Sequence, residues 1–191
     1  MNIIIRRPKK KDIPQIKNVF FASISQAFKD DGIDDRKEGI LEEVAKQLTC
    51  LKLNFNTKGE KSYYLIAEIK DKIIGTIAYK SELSKNNFIR KNLQINLNGI
   101  PEITSVYVLP NFQNQGIGSL LFNAILLILI GKNIQGVCMD GGYQKSIKFW
   151  THKIGKPNKI IKNYWGKNLD QVFWYRDIKD IKIQFVLKIK H

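Results

Sequence analysis

The feature that most constrains the fold of this chain is a short segment in which a strand runs into a glycine-containing loop and then into an apolar helix. The strand, Val106-Tyr107-Val108-Leu109, is β-branched and apolar. The loop ends in the pattern Gln-x-x-Gly-x-Gly, with Gly116 and Gly118, and the run 120–130 behind it is apolar apart from one asparagine. Glycines let the backbone approach a ligand closely, and a helix N-terminus favours an anion. The segment therefore predicts a cradle for a phosphate group.

Two other phosphate-binding motifs do not fit this segment. A P-loop requires a lysine and then a serine or threonine after its glycines, whereas Gly118 is followed directly by Ser119. The dinucleotide-binding fingerprint requires a third glycine, and that position holds Leu121. A tight turn between a strand and a helix, without a ligand, is the plain alternative. The elements upstream favour the ligand site.

Hydrophobic periodicity predicts the elements on either side of this segment. A hairpin followed by a β–α–β unit predicts a mixed α/β sheet with helices on both faces. No repeat or linker divides the chain, so one domain over residues 1–191 is expected, and the polar stretch 81–99 is predicted to be a loop or a short helix. Strands are predicted at 3–6, 63–69, 73–79, 103–109, 134–139, 172–176 and 181–187, and helices at 12–29, 36–53, 116–130 and 143–154.

The chain is strongly basic, with a formal net charge of +15 over 191 residues. A basic surface can indicate a nucleic-acid partner. Here the excess is mostly lysine and is spread along the chain without a dense block. Lysines on a solvated surface are therefore the favoured interpretation, and nucleic acid is a disfavoured partner. Such a surface attracts anions and repels polycations.

Cysteine, histidine and the apolar runs limit the cofactors and the location. Cys50, Cys138 and two histidines provide no metal-ligand spacing, so reduced cysteines and no metal site are expected. The longest apolar run, 120–130, is shorter than the roughly 20 residues that a membrane span requires. The segment before Pro8 is too short for the core of a signal peptide. A cytoplasmic protein without a membrane partner is expected.

The strand, the Gln/Arg-x-x-Gly-x-Gly/Ala loop and the helix resemble the acetyl-CoA motif of the GNAT superfamily of N-acetyltransferases. The resemblance covers nearly the whole chain. It implies a mixed, mostly antiparallel sheet with a splayed central strand pair, and a CoA-binding core at about 101–156. Further stretches carry the likeness: the opening Ile-x-x-Arg-x-x-x-x-x-Asp-Ile-x-x-Ile, the Ile-Gly of the predicted hairpin, and Ser146-Ile147-Lys148-Phe149-Trp150 with the later Lys153-Ile154-Gly155.

The resemblance also implies which residues bind acetyl-CoA, the expected co-substrate. Backbone groups of the strand would pair with the pantetheine arm, and N–H groups of the loop would hold the pyrophosphate. A serine at the helix start would add a hydroxyl, and a second helix would contact CoA near the end of the core. The expected residues are Val106, Tyr107 and Val108 on the strand, Gln113, Asn114, Gln115, Gly116, Ile117, Gly118 and Ser119 in the loop and helix start, and Trp150 on the second helix.

Catalysis would require a base for the amine and an acid for the departing thiolate. Glu102 opens the CoA-binding strand, where some family members place their general base; the alternative is a solvated carboxylate at a strand start. Trp150 departs from the family pattern, because many members have tyrosine there and an indole cannot serve as that acid. Trp150 is therefore expected to pack, and Tyr143 or Tyr164 could replace the acid unless the thiol leaves without help. Asp140 either faces the acceptor pocket or is a turn residue.

The expected function is direct transfer of an acetyl group from acetyl-CoA to a primary amine on a small molecule or a protein. A basic nucleic-acid-binding module and a family member that binds acyl-CoA without catalysis are the alternatives. The surface charge disfavours polyamines and other polycations as acceptors, and favours an amino acid, a small amine or an anionic acceptor. The acceptor itself and the oligomeric state stay open, with a homodimer as one option.

Overall fold

A computed structural model describes residues 2–83 and 87–186 of the chain. The strands are β1 (Ile4–Arg6), β2 (Ser62–Ile69), β3 (Lys72–Lys80), β4 (Glu102–Val108), β5 (Gly136–Gly141), β6 (Lys159–Gly166) and β7 (Leu169–Asp177). The helices are α1 (Ile13–Asp30), α2 (Lys37–Asn56), α3 (Phe88–Leu93), α4 (Ile117–Gly131) and α5 (Gln144–Ile154).

All seven strands form one sheet, in the order β1-β2-β3-β4-β5-β7-β6. Every neighbouring pair is antiparallel except β4 and β5, which run parallel. The turn between β2 and β3 consists of Lys70 and Asp71, which have positive φ angles of 46° and 62°. A two-residue turn of this kind matches the twist of antiparallel strands. The mixed, mostly antiparallel α/β sheet that the sequence predicts is confirmed.

Helices cover both faces of the sheet. On one face, the hydroxyl of Tyr64 on β2 donates a hydrogen bond to the carbonyl of Gln47 on α2. On the other face, a Cβ added to Gly75 of β3 would lie 3.2 Å from the side chain of Leu121 on α4. Gly75 therefore lets α4 pack closely against the sheet. Burial of the apolar helix faces against the strands is the main stabilising contribution to such a fold.

The central strands β4 and β5 diverge from each other. Within the described part of the chain, the only residues that they pair are Glu102 of β4 and Cys138 of β5. The Cys138 amide also donates a hydrogen bond to the Pro101 carbonyl, just before β4 begins. Beyond this point the two parallel strands form a fork, which is the splayed central pair that the family resemblance implies.

A β-bulge in β4 lies next to the fork. Ser105 and Val106 of β4 lie opposite the single residue Ile77 of β3. Ser105 has a positive φ of 54°, and the hydroxyl of Thr76 donates a 2.8 Å hydrogen bond to its carbonyl. A bulge bends its strand and increases the local twist, so this one turns β4 away from β5.

The C-terminal part of the sheet differs from the sequence prediction. The strand predicted at 181–187 is wrong, because residues 181–186 form no strand; residue 187 lies outside the described residues. The Asn123 side chain on α4 donates a hydrogen bond to the Gln184 carbonyl, so this segment is held by a side chain and not by a sheet ladder. The edge strand is instead β6, which is mostly exposed. Its sequence, Lys-Ile-Ile-Lys-Asn-Tyr-Trp-Gly, lacks the apolar–polar alternation that marks a half-buried strand.

The remaining predicted elements lie within three residues of the observed ones. The stretch 81–99 contains α3, a short helix capped by the Asn87 side chain, while residues 84–86 lie outside the described part. No helix among the described residues is long and apolar enough to cross a membrane.

Candidate active site

The loop between β4 and α4 forms a concave turn lined by free backbone N–H groups. Asn114 and Gly116 both have positive φ angles, 60° and 91°, which curl the loop into the helix. The Leu120 amide makes the first helical hydrogen bond, to the Gly116 carbonyl. The N–H groups of 117–119 precede that bond and have no acceptor within the helix. Together with the helix dipole they form a site suited to an anion.

A groove of about 650 Å³ extends from this turn along β4 to the start of α5. It contains every residue predicted to bind acetyl-CoA except Gln115, whose side-chain amide donates to the Asn111 carbonyl instead. The Gln113 side chain also turns inward, because its amide donates a 2.9 Å hydrogen bond to the Val108 carbonyl. The predicted residues that line the groove are Val106, Tyr107, Val108, Gln113, Asn114, Gly116, Ile117, Gly118, Ser119 and Trp150.

The groove also contains residues that were not predicted to bind acetyl-CoA, among them two lysines and a serine. Lys145 and Lys148 lie one helical turn apart on α5 and supply positive charge along the groove. Lys145 also pairs with Asp30, at 2.7 Å between Nζ and Oδ2. Ser23 of α1 lines the same wall and donates a 2.9 Å hydrogen bond to the Val108 carbonyl. The spacing of the two lysines on one helix face was the available sequence signal.

A second cavity, of about 490 Å³, lies between α2, the fork and the β6–β7 hairpin. Its walls include Gln47 on α2, Glu102 at the fork and Trp165 at the hairpin tip. The groove and this cavity meet where the two strands diverge. The residues that line both are Asp31, Val106, Tyr107, Tyr143, Ser146 and Trp150.

Trp150 forms part of the wall at this junction. Its side chain is 4% exposed and packs edge-to-face against Phe122 and Phe149, at ring-centroid distances of 5.0 and 4.7 Å. Such aromatic pairs stabilise a core beyond the area that they bury. The indole therefore packs, as the sequence suggested, while one edge borders both cavities.

Glu102 is buried at the closed end of the fork, with 7% of its surface exposed. One carboxylate oxygen accepts a 3.1 Å hydrogen bond from the Asn87 side-chain amide. The other lies 3.6 Å from the Lys80 ammonium. Burial lowers the pKa of Lys80, but the Glu102 charge and other acidic groups more than offset this, so that the Lys80 pKa is raised. Glu102 is thus a paired, buried carboxylate and not a solvated one.

Asp140 lies near the end of β5 and lines the same cavity as Glu102. Its Oδ2 accepts a 2.8 Å hydrogen bond from the Gln171 side-chain amide, and no described residue donates a hydrogen bond to its Oδ1. Burial, and then repulsion by Glu102, raise the pKa of Asp140 to about 6. Of the two alternatives left by the sequence, the structure therefore places Asp140 at the cavity.

The two tyrosines considered as proton donors have different positions. Tyr143 precedes α5, lines both cavities and packs against Phe28 at 6.0 Å between ring centroids. Among the described residues its hydroxyl has no hydrogen-bond partner, and burial raises its pKa above the usual range. Tyr164 is 45% exposed on β6, packs against Phe88 and Trp165, and lines neither cavity. Only Tyr143 is positioned at the junction.

A buried polar network supports the bulge from the α2 side. The Ser105 hydroxyl lies 2.6 Å from the Tyr64 hydroxyl and 2.5 Å from Oε1 of Gln47. The Gln47 amide donates to Glu43, which also accepts from the Tyr107 hydroxyl at 3.2 Å. No local pattern marks these residues, because they come from α2, β2 and β4. The network fixes the bulge and one wall of the cavity.

The second cavity carries more acidic than basic side chains, in contrast to the whole chain. Its acidic lining residues are Asp31, Glu42, Glu43, Glu102 and Asp140, and its basic ones are Arg36, Lys46 and Lys80. The global charge of +15 therefore does not describe this cavity. Within the described residues no group of three or more His, Cys, Asp or Glu side chains could hold a metal ion.

Comparison with known proteins defines the class to which this fold and site belong. The model of the acetyltransferase (GNAT) family matches residues 23–155, well over half of the chain. The chain therefore belongs to the GNAT acetyltransferase family. A search of curated proteins found no match.

Three solved structures show the likeness in fold. The PaiA N-acetyltransferase from Thermoplasma acidophilum, in complex with coenzyme A, is 18% identical with a TM-score of 0.66, and the match covers 93% of this chain and 99% of that one. An N-acetyltransferase from Staphylococcus aureus is 18% identical with a TM-score of 0.62, over 93% and 99% of the two chains. YncA from Salmonella typhimurium, with its cofactor acetyl-CoA, is 18% identical with a TM-score of 0.61, over 93% and 95%.

Proposed function

We propose that the protein transfers an acetyl group from acetyl-CoA directly to a primary amine. The observation that carries this proposal is the meeting of two cavities at the β4–β5 fork. One cavity is suited to a phosphorylated donor and the other carries carboxylates that attract an ammonium group. Direct transfer requires both substrates to reach one point, and the fork provides it.

The lining of the groove fits the chemistry of acetyl-CoA. The free N–H groups of 117–119, with Lys145 and Lys148, suit the pyrophosphate. Beyond the fork β4 has no partner in β5, so its backbone groups on that side are available to the pantetheine arm from Val106 to Val108, apart from the Val108 carbonyl, which already accepts from Ser23 and Gln113. Backbone N–H groups of this splayed strand would also hold the thioester oxygen as negative charge develops on it.

The acceptor enters from the acidic cavity. The carboxylates there favour a protonated amine, which reverses the preference that the surface charge alone suggests. To react, the ammonium must lose a proton, and the fork carries two carboxylates that could take it, the buried Glu102 and the partly exposed Asp140. We assign protonation of the departing thiolate to Tyr143, which lines both cavities where they meet and whose hydroxyl has no hydrogen-bond partner among the described residues.

Thermal unfolding with and without ligand tests the donor half of the proposal. Ligand at about 100 times its dissociation constant adds roughly 2.7 kcal/mol to the stability of the folded state. For a domain of this size each kcal/mol moves the melting temperature by about 2 to 4 °C. We expect acetyl-CoA and CoA each to raise it by about 5 to 10 °C, and ATP and NAD to raise it far less.

Release of CoA thiol in the presence of a panel of primary amines tests the acceptor half. The panel contains amino acids, monoamines, diamines and triamines, and hydrolysis without amine is the control. If the protein binds acetyl-CoA but acetylates none of the amines, the result would favour the alternative, a family member that binds acyl-CoA without catalysis. If neither CoA species shifts the melting temperature of protein freed of bound ligand, the acetyltransferase proposal is rejected. The basic surface would then favour the alternative, a nucleic-acid-binding protein.

A further inference from the structure

β4 and β5 each present one carboxylate to the acceptor cavity, and the two differ in their position along the fork. Glu102 is opposite Cys138, where the strands still pair. Asp140 lies two residues beyond Cys138, on the same face of β5. The strands are parallel, so this step moves about 6 to 7 Å in the direction of Val106 and the groove. Asp140 is thus the carboxylate nearer to the junction of the two cavities.

The two carboxylates also differ in how they are held. Both oxygens of Glu102 have partners, the Asn87 amide at 3.1 Å and the Lys80 ammonium at 3.6 Å. Asp140 is held through Oδ2 alone, by Gln171 on β7. No described residue donates to Oδ1, and the residue lines the cavity. One oxygen of Asp140 is therefore available to an amine or to a water between them.

We propose that Asp140, and not Glu102, accepts the proton from the acceptor ammonium, and that Glu102, paired at both oxygens, is a positioning residue that holds a fixed negative charge at the closed end of the fork. This inference rests on the proposed function. It assigns separate roles to the two carboxylates: the paired one contributes a fixed negative charge, and the singly held one takes the proton.

The charges around Asp140 give it a basicity suited to this role. Glu102 on β4 and Glu43 on α2 raise the pKa of Asp140, in addition to burial, while Lys46 on α2 and Lys80 on β3 lower it. The result is about 6, closer to neutral pH than the ordinary value of 3.8. A general base is most effective when its pKa lies near the working pH.

The transfer step balances with these groups. The Asp140 carboxylate takes one proton from the ammonium, and the neutral amine attacks the thioester carbon to form the C–N bond. Collapse of the tetrahedral species breaks the C–S bond, and the nitrogen gives up a second proton. That proton reaches the thiolate through Tyr143 or water, so the products are the amide and CoA thiol. Asp140 returns its proton to solvent.

The dependence of kcat/KM on pH separates the two carboxylates, with the best amine from the panel as acceptor. For the parent we expect an acidic limb near pH 6. Asp140→Asn should lose that limb and about 100-fold or more of the rate, as for loss of a general base. Glu102→Gln should keep the limb but move it to lower pH, because removal of a neighbouring negative charge lowers the pKa of a carboxyl group.

Two further variants check the assignment. Gln171→Leu removes the donor to Oδ2 and should move the limb to higher pH, opposite to Glu102→Gln. Asp170→Asn is the matched control, because Asp170 pairs with Lys162 outside the cavity and its loss should leave the profile unchanged. Asp140→Asn with an intact limb, or Glu102→Gln without one, would overturn the proposal.

A direct titration gives the same answer without turnover. In protein labelled with ¹³C at the aspartate carboxyl, the signal absent from Asp140→Asn should titrate near pH 6 in the parent, and at lower pH in Glu102→Gln. A signal that titrates at the ordinary aspartate value would overturn the assigned basicity. Loss of the proposed function looks different, because the parent itself would then acetylate none of the amines.

Discussion

Asp31, directly after α1, accepts a hydrogen bond from the backbone N–H of Gln144 at the start of α5. The amide nitrogen lies 3.3 and 3.4 Å from the two carboxylate oxygens. The contact satisfies one of the free N–H groups of α5 and places a negative charge at its N-terminus. Burial raises the pKa of Asp31. Because Asp31 lines both the groove and the second cavity, this bond joins their walls.

Gly118→Glu is expected to abolish stabilisation by acetyl-CoA. A Cβ at Gly118 would meet the Phe149 ring at 3.6 Å, an ordinary contact, so the fold tolerates a side chain. A glutamate would nevertheless fill the groove and repel the pyrophosphate. The measurement is the ligand-induced shift in melting temperature. Gly131→Glu, at the open end of the same helix, adds the same charge and should keep the full shift. If Gly118→Glu retained the ligand-induced shift in melting temperature, CoA would have to bind at another site.

Trp150→Ala is expected to lower the free energy of unfolding by about 3 to 5 kcal/mol, because it empties a fully packed position. Trp165→Ala is the matched control, since Trp165 is 51% exposed. Its loss should cost about 1 kcal/mol, for one hydrogen bond to Gln171. Urea unfolding measures both. Trp150→Tyr should fold and retain turnover. Equal stability of Trp150→Ala and the parent would show that the indole does not pack.

Two buried tyrosines are expected to respond in opposite ways to loss of the hydroxyl. Tyr64→Phe should lower the free energy of unfolding by about 1 to 3 kcal/mol, because Ser105 and its network lose a buried partner. The Tyr79 hydroxyl is buried without a partner among the described residues, so Tyr79→Phe should be neutral or stabilising. Equal losses in the two variants would mean that the network around Ser105 contributes no stability.

Asp140→Asn is expected to stabilise the protein at neutral pH. The folded-state pKa of Asp140, about 6, lies above the ordinary value of 3.8, so its ionisation opposes folding. The parent therefore loses stability as pH rises from about 4 to 6, and the loss persists at higher pH. The shift corresponds to about 2 to 3 kcal/mol. Urea unfolding at pH 4.5 and pH 8 should show a gain that is larger at pH 8. A gain independent of pH would contradict the raised pKa.

The sequence by itself determined the elements that arise from local chemistry. The cradle at 113–119 uses backbone groups that are consecutive in the chain, so its glycines and the following helix suffice to predict it. The same reason makes two other features predictable from the sequence, the turn at Lys70 and Asp71 and the apolar helix faces. The edge strand β6 was missed and 181–187 was predicted wrongly, because strand formation there depends on which segment reaches β7.

Only the tertiary structure decided the chemistry of the second cavity. Glu43, Glu102 and Asp140 come from α2, β4 and β5, and nothing local shows that they face one space. The net charge of the chain is positive, whereas this cavity carries more acidic than basic side chains. The roles proposed for the two carboxylates depend on partners such as Lys80 and Gln171, which lie far from them in sequence. Backbone geometry is set by neighbours in the chain, whereas burial and electrostatic pairing are set by neighbours in space.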